Sequence, residues 1–174
     1  MVVLVLVVLM GLGLAALTTS LASARLGERS GEWYRSYYEL DRKAEEKLAV
    51  IDNSIHFSDE QTSAYMDSEK YLLEDGDIDD DIQESIHAEW EKNSGSVQAE
   101  ERIAGMVFLF YLTRELKEKD HGFEELIITG GHSIKISFVE KDTSNNRYKL
   151  RVALELTGEK TGYKIIEWMQ YNEK

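Results

Sequence analysis

The first twenty-four residues, MVVLVLVVLMGLGLAALTTSLASA, carry no charged side chain, and Arg25 opens a stretch in which charge is frequent. This run constrains the chain more than any other feature. About 20 apolar residues of helix cross the hydrocarbon core of a bilayer. Residues 2–17 are strongly apolar, and residues 18–24 extend them with small and hydroxyl side chains that a membrane interface tolerates. Ala22-Ser23-Ala24 has the A-x-A form of a signal-peptide end. No basic residue precedes the run, however, as a signal peptide's start normally requires.

The residues after Ala24 favour a working segment over a discarded one. They read RLGERSGEWYRSYYELDRKAEEKLAVIDNSI and suit helix throughout. Leu26, Trp33, Tyr37, Leu40, Ala44, Leu48 and Ile51 recur at helical spacing, a stripe that charges face from the other side. Glu39 and Lys43 form a favourable i,i+4 pair. The chain has no proline, so only Gly27 and Gly31 interrupt helix formers, at roughly 1 kcal/mol each. One helix of about fifty residues is expected. Its first half, residues 1–24, is apolar all round, and its second half is amphipathic and suited to packing on a globular part formed within 25–174.

At this point the chain resembles the type IV pilin-like proteins, and more closely their minor pilins and secretion pseudopilins. An uncharged start, a helix crossing into SYYELDRKAEEKLAVID, and the aromatic segment Tyr37-Tyr38-Glu39-Leu40-Asp41 carry the resemblance over residues 1–53. Over 126–171 the likeness is at the level of fold. Pilins usually carry a leader ending in glycine and a mature phenylalanine, whereas Met1 here leads directly into the apolar run. Major pilins also place a glutamate near the fifth mature position. Val5 stands here, and no acid appears before Glu28. Certain minor subunits at filament tips are similar in lacking it, so the resemblance implies a minor role.

Charge is unevenly placed. The net charge of −13 resides in residues 59–101, where fifteen acids face only Lys70 and Lys92; residues 25–58 balance to −1 and 102–174 to +1. No basic stripe of the kind phosphate binding needs is present, so nucleic acid is not an expected partner. With no cysteine, the chain has neither disulfides nor thiolate chemistry.

Along the rest of the chain, residues 54–75 are expected as a second, shorter helix ending near Leu73. Ile78, Ile82, Ile86 and Trp90 mark the next, and residues 97–119 an apolar helix too short to span a membrane and better buried. From Glu124 the period becomes two. A short strand or helix end at 126–129 precedes strands at 134–138, 148–156 and 163–171, joined by short turns that imply an antiparallel meander. The expected fold is therefore α+β: a long N-terminal helix, further helices, and a C-terminal antiparallel sheet of three to four strands.

Candidate sites are few. Asp75, Asp77, Asp79 and Asp81 place oxygen donors at alternate positions, which suits calcium. They do not make an EF-hand loop, since counting from Asp75 puts Asp80 at the glycine position and Ile86 at the bidentate glutamate. The competing reading is a turn followed by acids at a helix N-terminus, where the macrodipole favours them. His56, His87, His121 and His132 show no metal-binding spacing, and no nucleophile elbow, P-loop or dinucleotide fingerprint occurs. No catalytic residue, cofactor or small-molecule substrate is expected, and the chain is not expected to be an enzyme. Trp33-Tyr34 and Tyr37-Tyr38 offer two readings, a ligand platform or core, and aromatics at helical spacing favour core.

Val2, Val5, Val8, Leu12, Leu14 and Leu17 are the residues expected to face lipid or neighbouring helices. The resemblance implies a structural subunit of a type IV pilus-like or type II secretion-like filament. Its partners are other pilin-like subunits and the assembly machinery. Before assembly it crosses the cytoplasmic membrane once through residues 1–24; afterwards it lies in an extracellular filament. The alternative is a single-pass anchored extracytoplasmic binding domain that never polymerises; a third reading frees a secreted domain at Ala24.

Overall fold

A computed structural model describes residues 2–68, 78–93, 96–119, 121–130, 133–142, 148–157 and 162–172. The order is α1 (Val2–Asp67), α2 (Asp80–Asn93), α3 (Val97–Glu118), then β1 (Glu125–Thr129), β2 (Lys135–Lys141), β3 (Tyr148–Leu156) and β4 (Tyr163–Asn172). This is the expected α+β layout, with a sheet of four strands. The chain divides into two compact units, Met1–Glu39 and Leu40–Lys174.

The first unit is the N-terminal part of α1. Its large apolar side chains from Val5 to Leu21 are all more than half exposed. It has no core of its own; its four aromatic rings instead lie on one another. Trp33 and Tyr37 stack with centroids 5.8 Å apart, and Tyr34 and Tyr38 meet them edge-on. Trp33, Tyr34 and Tyr38 are 41%, 53% and 67% exposed, which corrects the expectation that these aromatics form core. Residues 33 and 37, like 34 and 38, are i,i+4 neighbours, so a helix brings such rings together with no further partner.

The second unit holds the core. α1 contributes Leu40, Ala44, Ile51 and Ile55, a stripe at helical spacing, and α3 adds Leu112 and Leu116. The sheet supplies alternate residues of its inner face, Ile136 and Phe138 from β2 and Leu150, Val152 and Leu154 from β3. Phe138 stands opposite Val152 and Ile136 opposite Leu154, so the two strands present one continuous apolar surface. A second cluster gathers Tyr65, Ile78, Ile86, Ile103, Val107 and Phe110 where α2 and α3 approach the end of α1.

Two departures from expectation have physical causes. The long helix does not give way to a separate helix near residue 54; α1 runs to Asp67. Ser54, Ser58 and Thr62 donate their hydroxyls to the carbonyls of Val50, Ser54 and Ser58, at 2.8, 2.6 and 2.7 Å. These bonds satisfy polar groups inside the helix, so a run that looks like a boundary continues through. The last strand is irregular. Glu167 pairs with Ala153 but Ile165 with Leu154, leaving Ile166 as an extra residue in a β-bulge.

Local signals otherwise act as expected. Asp80 and Asp81 occupy the first turn of α2, and Lys92 the last. Ser96 caps α3 by accepting from the Ala99 amide at 3.2 Å. The sheet is a meander in the order β1-β2-β3-β4, all pairs antiparallel.

Candidate membrane and assembly surface

Residues 2–24 make about 34 Å of helix at 1.5 Å per residue, close to the 30 Å thickness of a bilayer's hydrocarbon core. The helix is long and apolar enough to cross a membrane, and none of its most apolar stretch is buried within the protein. Of the residues expected to face lipid or other helices, Val5 and Val8 are 53% and 52% exposed, Leu12 and Leu17 each 63%, and Leu14 73%. The side chain of Val2 lies outside the described residues. The exposed set points all round the helix, since positions 5, 8, 12, 14 and 17 step through every quarter of a turn at 100° per residue.

Two polar groups within this stretch are provided for. Thr18 and Thr19 both donate their hydroxyls to the carbonyl of Ala15, each at 2.9 Å. A hydroxyl bonded to its own helix can enter hydrocarbon without the full penalty of an unpaired polar group. Gly11 and Gly13 have open space where a side chain would stand.

Among the described residues, no three His, Asp or Glu side chains converge to hold a metal. Of the four candidate cation ligands, Asp75 and Asp77 lie outside the described residues. Asp79 is exposed, and its carbonyl accepts from the amides of Ile82 and Gln83 at 2.9 and 3.0 Å, opening α2. Asp81 is exposed in the first turn of that helix. Both described acids thus sit where a helix start favours negative charge.

Two half-buried lysines and a buried carboxyl link α1 to the sheet and to the segment before it. Lys43 donates to the carbonyl of Lys141 at 3.2 Å, and Lys47 donates to the carbonyl of His121 with its ammonium 5.0 Å from the centre of the Phe123 ring. Glu140 is buried beside them, and its Oε1 has no hydrogen-bond partner. Burial pushes its carboxyl above the usual range, against the opposing pull of Lys47 and Lys43. The group ties the segment before β1 and the end of β2 to α1. A groove of about 550 Å³ runs between α2 and α3 over Ile82, Met106, Leu109 and Phe110. Arg114 and Glu118 on its rim pair at 3.2 Å and neutralise each other.

Packing of the sheet on the amphipathic half of α1 is the expected arrangement, but the sequence did not signal the hydrogen bond that joins them. Trp168 of β4 donates its indole N–H to Asp41, 127 residues away. Asp41 belongs to the Tyr37–Asp41 segment but Trp168 to no motif, and only the folded register of β4 brings them together. No protein-family model matches the chain, and neither a curated protein nor a solved structure matches it.

Proposed function

We propose that the protein is a minor pilin-like subunit of a type IV pilus-like or type II secretion-like filament. It is held in the membrane through the apolar start of α1 as a monomer and through the same surface in a helical bundle after assembly. The observation that carries this reading is the unbroken course of α1 through residue 24 and on to Asp67. A discarded signal peptide has no need to continue in phase into an amphipathic helix whose stripe enters a core. Apolar side chains exposed all round the first two dozen residues demand either lipid or other helices, because each Å² left in water costs roughly 25 cal/mol. The apolar run of residues 2–24 holds no acid, and this supports sparse use: in the resembled family an acid within that run compensates a neighbour's buried amino terminus.

In this reading the protein is structural, not catalytic, and its partners are other pilin-like subunits. The test is to follow the protein in its host with and without the assembly ATPase of the filament system. A subunit moves from the membrane to the sheared surface fraction only when the ATPase is present. A single-pass binding domain stays in the membrane in both strains, and that result refutes the proposal.

A further inference from the structure

The two edges of the sheet differ. β1 is five residues long and β4 is ten. Among the described residues no strand pairs with the outer side of β4, so its backbone amides and carbonyls are available along that edge. Along it Ile165, Ile166 and Met169 are 44%, 45% and 50% exposed, and beside them stand Lys164, Glu167 and the bulge, features that turn away unmatched strands.

The bulge decides what kind of strand fits there. In a regular strand, residues three or five apart point to opposite faces. Because Ile166 is an extra residue, Lys164 (opposite Glu155) and Glu167 (opposite Ala153) share the outer face of the sheet. Tyr163 (opposite Leu156) and Trp168 (opposite Val152) share the inner face, and both pack against the core. An antiparallel partner centred between Ile165 and Ile166 therefore sets Lys164 against Glu167 twice and Tyr163 against Trp168 twice, every pair on one face. A second copy carrying the same bulge keeps each of these pairs on its own face.

We propose that the β4 edge is a docking surface for a second copy of this chain, the two strands pairing antiparallel about a two-fold axis between Ile165 and Ile166. Four isoleucines meet at the axis, and two Lys164–Glu167 pairs flank them. The charge of the chain permits it, since residues 102–174 balance to +1 and the excess acid lies in 59–101. Such a contact uses the same patch on both subunits and closes on itself, so it makes a dimer and not a filament. It is independent of the membrane helix.

The test is the mass of the full-length chain in detergent micelles, measured over a range of protein concentrations. The wild type dimerises. Lys164→Glu turns two attractions into two repulsions and weakens the dimer by about tenfold or more, and Lys164→Glu combined with Glu167→Lys restores it. Because Lys164 also faces Glu155, Ile166→Lys serves as a second probe; it places like charges at the axis without touching that pair and likewise yields monomers. Leu14→Arg leaves the dimer intact. A monomer at every concentration overturns the proposal. So does a dimer indifferent to Lys164→Glu, one not regained by the charge swap, or one lost with Leu14→Arg.

Discussion

The indole nitrogen of Trp168 lies 3.1 Å from Asp41 Oδ1, joining the last strand of the sheet to the first helix of the chain. Hydrogen bonds to an ionised acceptor contribute more than neutral ones, about 1.5–3 kcal/mol, and this one is partly sheltered from water. Asp41→Ala leaves the indole N–H without its acceptor and should lower stability by about 1–3 kcal/mol. Trp168→Phe removes the same bond together with some packing. If the bond is what couples the sites, denaturant melts will show the double variant losing less than the sum of the two singles.

Glu140 makes stability depend on pH in a defined direction. Its folded carboxyl is held above the ordinary value, chiefly by burial. The stability it contributes is therefore fully present below the unfolded carboxyl value and is lost as pH rises through the folded one. Glu140→Gln keeps the neutral shape at every pH. Melts at pH 4 and pH 7 should show the variant close to wild type in acid and more stable than wild type at neutrality. A variant less stable at pH 7 would mean that Lys43 and Lys47 outweigh burial.

Gly122 stands at φ +66°, in the segment between α3 and β1 that Lys47 grips through the carbonyl of His121. An added Cβ would meet Lys47 Nζ at 3.2 Å in a backbone conformation L residues disfavour. Gly122→Ala should cost about 1–2 kcal/mol from the backbone alone, read as a lowered thermal midpoint. Gly105→Ala, at a helical glycine with open space around it, should not destabilise the protein and serves as the control.

These contacts also mark how far the sequence alone could be read. Helical spacing exposed the core stripe Leu40, Ala44 and Ile51, and alternation exposed β3, because each is a local periodicity imposed by one buried face. The extent of α1 escaped, since Ser54, Ser58 and Thr62 look like a boundary until their hydroxyls are seen bonded to the preceding turn. The aromatic group from Trp33 to Tyr38 misled for a related reason: helical spacing shows that side chains share a surface, but not whether anything covers it. The adjacent Ile165 and Ile166 break the alternation of β4, yet only the register identifies the extra residue. The pairing of Asp41 with Trp168 is a product of topology and leaves no local trace. The position of the helix stretch long and apolar enough to cross a membrane was legible, because an uncharged run of that length has few alternatives.

In the proposed function the apolar start of α1 inserts among lipids or like helices, and the protein joins a filament through it in low copy number. Leu14 is 73% exposed near the middle of that stretch, where an arginine costs about 2.5–3.5 kcal/mol in a membrane helix. The most direct measurement is the amount of protein in the sheared filament fraction of host cells expressing wild type or Leu14→Arg, beside the amount of the major subunit. Wild type is expected at a small fraction of the major subunit, and Leu14→Arg is expected to be absent from filaments although the part of the chain beyond Arg25 stays folded. Equal incorporation of the variant would contradict assembly through the helix. Long, uniform filaments built from this protein alone would contradict its minor role.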